Sequence, residues 1–287
     1  MRFEKWQALG NDYVIVEADA LPWELNAQRI RRLCEPHFGI GSDGILLLSM
    51  PADPDHVADL RIFNPDGSEA ELSGNGAREA VLYLRRSGWT DQDKFTIGTA
   101  AGPVTPTIDS DRTCTLAIGR AATTSKDYPR GPEDGKGELE AQGRTWAFRH
   151  VSIGNPQCAI RVEDGLEDLD LSAVGPEIEG HALFPNRTNV SFFRIEDAGA
   201  SAGSGSRVRA RIFERGVGET LSSGTGASGA AVAAFLAGAA SPVEVRLDGG
   251  ELSVEVGEQL EVRLTGWAEP VYAADVSAEL LRRLGDL

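Results

Sequence analysis

Short runs of β-branched and aromatic residues dominate the hydrophobic pattern. Tyr13–Glu17, Ile45–Ser49, Leu60–Phe63, Phe95–Gly98, Thr115–Ile118, Trp146–Val151, Ala159–Val162, Val190–Ile195, Val208–Phe213, Val243–Leu247, Leu252–Val256 and Leu260–Leu264 read as strands. Helical spacing is confined to Ala27–Cys34, Gly76–Arg86, Gly226–Leu236 and Ser277–Leu284. Many short strands with a few helices that do not alternate regularly predict an α+β class. A polar, Gly-rich stretch from Gly119 to Thr145 marks the expected domain boundary. The expected domains are residues 1–120 and 121–265, with 266–287 returning to the first. The small-apolar run from Gly226 to Ala240 is too short to span a bilayer and reads as a buried helix.

An internal repeat organises this pattern. Shifted by about 150 residues, Arg61–Ala77 lies over Arg211–Ala227, with eight of 17 positions identical. Each copy runs strand, loop, Ser-Gly-x-Gly-Ala, then an apolar helix. Gly10-Asn11 and Gly154-Asn155 form a second, weaker pair, each ahead of an apolar strand. Two copies are too few for a solenoid and predict two similar domains about a pseudo-two-fold axis.

Each Ser-Gly-x-Gly turn ends where a helix begins. Amides of a first helical turn lack intrahelical partners, and the helix dipole adds positive charge. Gly74-Asn75 and Gly224-Thr225 are therefore candidate cradles for a carboxylate or phosphate. Ser73 and Ser223, read as matched groups on opposite faces of one anion, suit a two-base proton transfer at a carbon between them. The same serines also fit a plain helix-capping role. Gly224 to Gly229 satisfies GxGxxG, but the preceding strand ends about ten residues earlier, so a dinucleotide turn is not indicated.

Composition narrows the classes. Lys and Arg number 28 against 44 Asp and Glu, a net charge of −16, which argues against nucleic acid or an anionic membrane as partner. Glycine is abundant, 33 of 287 residues. Three scattered cysteines and four scattered histidines form neither a disulfide framework nor a metal cluster. The N-terminal sequence shows no secretory pattern. A cytoplasmic enzyme or binding protein, without metal, flavin, nicotinamide or pyridoxal phosphate, is the expectation.

The ordered motifs Leu9-Gly-Asn-Asp-Tyr13, Gly39-Ile-Gly-Ser-Asp-Gly44, Phe63-Asn-Pro-Asp-Gly-Ser-Glu69, Gly74-Asn-Gly-Ala-Arg78, Gly154-Asn-Pro156, Thr188-Asn-Val190, Glu214-Arg-Gly216, Gly218-Glu-Thr220 and Gly224-Thr-Gly-Ala227 run through nearly the whole chain. In them the chain resembles the diaminopimelate epimerases. The resemblance implies two pseudo-symmetric domains, each a β-structure round a central helix, with the active site in a cleft between them. It also implies a homodimer and cofactor-free interconversion of LL- and meso-diaminopimelate in lysine and cell-wall precursor synthesis. It assigns substrate binding to Asn11, Asn64, Gly74, Asn75, Asn155, Asn189, Glu214, Arg215, Gly224 and Thr225. Arg215 would hold a carboxylate, and Glu214 with nearby carbonyls an ammonium.

The departures fall on the chemistry. Ser73 and Ser223 stand where the family has its two proton-transferring cysteines. Glu79 and Ser228 replace further cysteines, and Gln157 replaces a histidine near the first acid/base. A thiol ionises near pH 8.5, and lower at a helix N-terminus, whereas an alcohol is a far weaker acid. Engineered Cys→Ser changes would account for positions 73 and 223 but not for 79, 157 and 228. An epimerase using serine hydroxyls is the favoured reading. Another racemase, isomerase or dehydratase of the superfamily, or a non-catalytic amino-acid-binding protein, is the alternative.

Overall fold

The structure, a computed structural model describing residues 1–197 and 205–287, is α+β. In chain order the elements are β1 (Arg2–Ala8), β2 (Asn11–Glu17), α1 (Ala27–Cys34), β3 (Ile45–Ser49), β4 (Ala58–Phe63), β5 (Glu69–Ala70), α2 (Gly74–Arg86), β6 (Ile97–Gly98), β7 (Thr107–Ser110) and β8 (Thr113–Arg120). They continue with β9 (Lys136–Ala141), β10 (Arg144–Ser152), β11 (Pro156–Arg161), α3 (Leu171–Glu179), β12 (Asn189–Asp197), β13 (Ser206–Glu214), β14 (Gly218–Thr220), α4 (Gly224–Phe235), β15 (Val243–Leu247), β16 (Gly250–Val256), β17 (Glu261–Trp267), β18 (Glu269–Asp275) and α5 (Ala278–Gly285). The chain divides into two compact units, Met1–Leu116 with Gly266–Leu287, and Ala117–Thr265. It leaves the first along β8 and returns along β17.

In the first unit the strands run β18-β1-β2-β3-β4-β5, with β6 on β4. β2 pairs parallel with β3, β3 antiparallel with β4, and β4 parallel with β6. In the second unit β11 pairs parallel with β12, β12 antiparallel with β13, and β13 parallel with β15. The two units share one chain path. The repeat keeps even its register: Ile62 faces Ala70 and Phe63 faces Glu69, as Ile212 faces Thr220 and Phe213 faces Glu219. Each hairpin is clamped by the same ion pair, Arg61 Nη2 to Glu69 Oε2 at 2.7 Å and Arg211 Nη2 to Glu219 Oε1 at 2.6 Å.

A central helix packs on each sheet, α2 on β1, β2 and β3, and α4 on β10 to β13, β15 and β16. α4 is apolar on all sides, and Gly226–Ala234 are all buried, as a helix without a polar face requires. α2 is different, because Arg78 and Glu79 are buried beside Ala77 and Ala80. A second apolar cluster of the first unit joins α1 to β2 and β3 through Ile30, Leu33, Val14 and Ile45. In the second unit, Tyr128, Phe148, Phe184 and Phe192 belong to one apolar core cluster.

Several elements depart from the hydrophobic pattern. α3 forms despite Gly175 and Pro176 within it, since Asp170 caps Ala173 N–H and Leu171, Val174 and Ile178 fill the core. A Cβ on Gly175 would stand 2.4 Å from the Phe213 ring, so glycine lets this helix close on β13. β1 hides its period because the pairing with β18 slips between Lys5 and Trp6. β9 lies inside the polar stretch and buries only Leu139 and Ala141. No helix among the described residues is long and apolar enough to cross a membrane.

Candidate active site

In both units a left-handed glycine delivers an asparagine to the end of a strand: Gly10 before Asn11 and Gly154 before Asn155, each at φ +83°. In both, a serine caps the central helix. Ser73 Oγ accepts from Gly76 N–H at 3.1 Å and Ser223 Oγ from Gly226 N–H at 3.2 Å. The second glycine of each turn is needed for packing. A Cβ would lie 3.0 Å from Leu46 Cδ2 at Gly76, and 2.8 Å from Ile212 Cγ2 at Gly226.

The first unit joins Asn11, Asn75 and Ser73 around the start of α2. Asn75 Nδ2 donates to Asn11 Oδ1 (3.2 Å), and Asn11 Nδ2 donates to Asp43 Oδ2 (2.9 Å). Behind them Arg78 Nη2 donates to Asn75 Oδ1 (2.5 Å), which fixes which end of that amide faces which partner. Lys5 holds Asp12 at 2.6 Å and donates to Gly41 O at 2.8 Å, bracing the Gly39–Gly44 loop. Tyr13 Oη donates to Ser73 Oγ at 3.2 Å. Asn64 follows β4 and commits its amide to Ser68 Oγ (2.9 Å), outside this chain of bonds.

The second unit gathers its residues in three linked groups. Asn155 Nδ2 donates to Thr225 Oγ1 (3.2 Å), and buried Gln157 donates to Asn155 Oδ1 (2.7 Å). Asn189 donates to Pro156 O (3.0 Å) and accepts from Arg215 N–H (2.9 Å), while Arg215 Nη1 reaches Asn186 O (3.0 Å). Buried Glu179 accepts from Gly216 N–H (2.7 Å), so the Glu214–Gly216 turn is held from below. In the third group Ser223 Oγ donates to Glu214 Oε2 (2.9 Å) and Thr220 Oγ1 donates to Glu214 Oε1 (2.8 Å). Ser228 turns back to Gly224 O (2.8 Å), a bond within the helix.

The electrostatics favour Glu214 as a proton acceptor. Burial raises its carboxyl above the usual range, and the bonds from Thr220 and Ser223 oppose that rise. Glu79 is also raised well above its ordinary value by burial. The three cysteines are buried, and burial pushes each thiol up, Cys114 to about 12. None is therefore set to act as a thiolate at neutral pH. Among the described residues no group of three or more His, Cys, Asp or Glu could hold a metal.

Sequence reasoning gave no role to Tyr13, Asp43, Arg78, Glu179 or Thr220. Tyr13 and Thr220 lie within the quoted motifs, but only the fold brings their hydroxyls to Ser73 and Glu214.

Comparison with known proteins matches this arrangement. The family model described as diaminopimelate epimerase matches residues 3–124 and 149–269. A Nostoc protein named diaminopimelate epimerase 2 is 36% identical over 285 residues, covering 98% of this chain and 97% of its own. A Synechococcus diaminopimelate epimerase is 38% identical over 284 residues, covering 95% and 97%. Solved structures share the fold. A hydroxyproline epimerase from Agrobacterium vitis aligns with a TM-score of 0.66 at 17% identity, covering 97% of this chain and 92% of that one. A PhzF-family protein from Bacillus anthracis aligns at 0.65 and 18%, covering 96% and 99%. Matched by the family model over most of its length and by relatives at 36% and 38% identity, the chain belongs to the diaminopimelate epimerase family.

Proposed function

We propose that the protein is a cytoplasmic isomerase that interconverts LL- and meso-diaminopimelate by two-base α-proton transfer without a cofactor. The Gly74-Asn75 and Gly224-Thr225 amides receive the carboxylate of the reacting centre, where helix N-termini also stabilise the charge that builds as the α-proton leaves. Asn11, Asn64, Asn155, Asn189 and Arg215 hold the remaining polar groups of the substrate. Ser223 and Ser73 are the two groups that exchange protons with the α-carbon.

The observation that carries this reading is the 2.9 Å bond from Ser223 to Glu214. A lone alcohol is a poor base at neutral pH. With a part-buried carboxylate to take its proton, the hydroxyl can remove an α-hydrogen as its own proton passes to Glu214. The family relatives are named for this reaction.

A homodimer is part of the proposal. β18 forms an edge of its sheet, where another strand can add, and it exposes Val271 and Tyr272, at 53% and 43%.

The test is incubation with LL- or meso-diaminopimelate in D₂O, followed by NMR. Deuterium at the α-carbon together with the other epimer is expected. Binding without exchange supports the amino-acid-binding alternative, and exchange only with a different amino acid supports another isomerase.

A further inference from the structure

The two capping serines are polarised in opposite senses. Ser223 Oγ accepts from Gly226 N–H and gives its own proton to Glu214. Ser73 Oγ accepts from Gly76 N–H (3.1 Å) and accepts again from Tyr13 Oη (3.2 Å). A hydroxyl has one proton and two lone pairs. Ser223 is thereby set to receive a proton, and Ser73, with both lone pairs committed to donors, is set to release one.

The Tyr13–Ser73 contact is built into the fold. Tyr13 lies on β2, 6% exposed. Its ring occupies space that only glycine leaves open at position 44, where a Cβ would stand 2.7 Å from Tyr13 Cε1 and 2.3 Å from Phe63 O. At the corresponding position of the second unit stands Gln157, whose amide goes to Asn155 instead. The counterpart of Glu214 in the first unit is Asn64, which bonds Ser68. Each unit therefore has one polar partner for its serine, drawn from a different position and of opposite character.

We propose that Tyr13 is a positioning residue that makes Ser73 the proton-donating member of the pair. The proposal rests on the epimerase reading above. In one direction the Cα–H bond breaks and its electron pair stays on the substrate as a carbanion. That proton goes to Ser223 Oγ, while the Ser223 proton moves to Glu214. On the other face Ser73 gives its proton to the α-carbon, forming the new C–H bond, and the phenol proton of Tyr13 moves toward the Ser73 oxygen. Glu214 has then gained one proton and the Tyr13–Ser73 pair has lost one, so the count balances, and exchange with solvent takes the proton from Glu214 and returns one to the pair before the next turnover in the same direction. In the reverse direction every transfer runs backwards.

The experiment compares wild type, Tyr13→Phe, Ser73→Cys and Tyr13→Phe/Ser73→Cys with each epimer in D₂O, reading α-deuterium incorporation and inversion separately. In Tyr13→Phe, kcat for inversion is expected to fall at least roughly tenfold, the low end of general acid/base effects being larger still. The KM should stay within about twofold, because the phenol acts through Ser73 and not on bound substrate. With the epimer whose hydrogen Ser223 removes, exchange should persist without inversion, so the ratio of exchange to inversion rises. This ratio is internal to each sample and does not depend on how much of the variant folds. A thiol is acid enough alone, so in the Ser73→Cys background the same Phe substitution should cost less than about threefold. Equal losses in both backgrounds, or an unchanged exchange-to-inversion ratio, overturn the proposal. Wild-type protein that exchanges neither epimer overturns the epimerase reading instead, and the proposal falls with it.

Discussion

The two units share a chain path, a hairpin register and an Arg–Glu clamp, yet they surround their serines differently. In the second unit Ser223 donates to a part-buried carboxylate, and Thr220 supports that carboxylate from its other oxygen. In the first, Ser73 accepts from a phenol, and the residue matching Glu214 is an asparagine engaged elsewhere. The helices differ as well, since α2 buries Arg78 and Glu79 where α4 carries Ser228 and Gly229. Duplicated backbone geometry thus fixes where the two serines stand, while a handful of unmatched side chains decides what each one does. A thiol pair needs little such help because each sulfur is acidic in its own right. An alcohol pair needs neighbours, and these neighbours need not be alike.

The largest expected effect breaks the comparison at its carboxylate. Glu214→Gln keeps the shape but removes the acceptor, and kcat should fall by about 10²–10⁴-fold. Asn64→Ala, at the matching position of the first unit, should mainly raise KM. Steady-state kinetics decide the point, and equal kcat losses at the two positions would abolish the distinction. Glu214 must be ionised to act, and burial raises its carboxyl. The acid limb of the wild-type pH–rate profile should therefore lie above the ordinary carboxylate range and be absent from Glu214→Gln.

Restoring sulfur should sharpen the comparison from the other side. Ser73→Cys/Ser223→Cys is expected to epimerise diaminopimelate at least roughly tenfold faster than wild type, because both positions are helix N-termini that favour a thiolate. Each single variant should gain less, since a proton must leave one face and arrive at the other. Adding Gln157→His tests whether an imidazole is also needed. A double variant that binds substrate but turns over no faster would remove Ser73 and Ser223 as the acid/base pair.

The smallest effect concerns α2. Burial raises the Glu79 carboxyl well above its ordinary value, so the folded chain keeps a proton that the unfolded chain releases near pH 4.5. Stability contributed by that protonated form is present below this pH and declines as pH rises toward the folded value. Glu79→Gln imitates the protonated form and should raise Tm by a few degrees at pH 8 and hardly at all at pH 4, at roughly 2–4 °C per kcal/mol for a chain of this size. Thermal melts across pH check this, and a gain independent of pH would contradict it.

Much of the scaffold was legible from residue order. α1 has the bounds its periodicity implies, and the structure adds an Asn26 cap, with Gln28 and Arg29 N–H bound to its side chain. The shift of about 150 residues survives as matched register. What escaped was decided by tertiary contact. α3 contains a proline and a glycine that argue against a helix, and only the Phe213 ring explains the glycine. Among site residues, Asn64 and Asn189 were named only by the family resemblance, whereas Asn11, Asn75, Asn155 and the two serines stood out because glycines flank them. Tyr13 did not, since an aromatic residue in an apolar strand looks like core until the fold carries its hydroxyl across 60 positions to Ser73.

The burial of Cys34, Cys114 and Cys158 has a chemical consequence for the whole protein. Oxidants and alkylating agents attack thiolates, and susceptibility follows thiolate character and exposure. A pair of thiols at positions 73 and 223 would sit at helix N-termini where ionisation is favoured and reagents must be able to follow the substrate. Hydroxyls at those positions are inert to peroxide and to mild electrophiles, and the three thiols of the chain are buried. Serine at both stations gives up intrinsic acidity and gains an acid/base centre without an oxidisable atom, one whose rate depends on hydrogen-bond partners and not on the redox state of its surroundings.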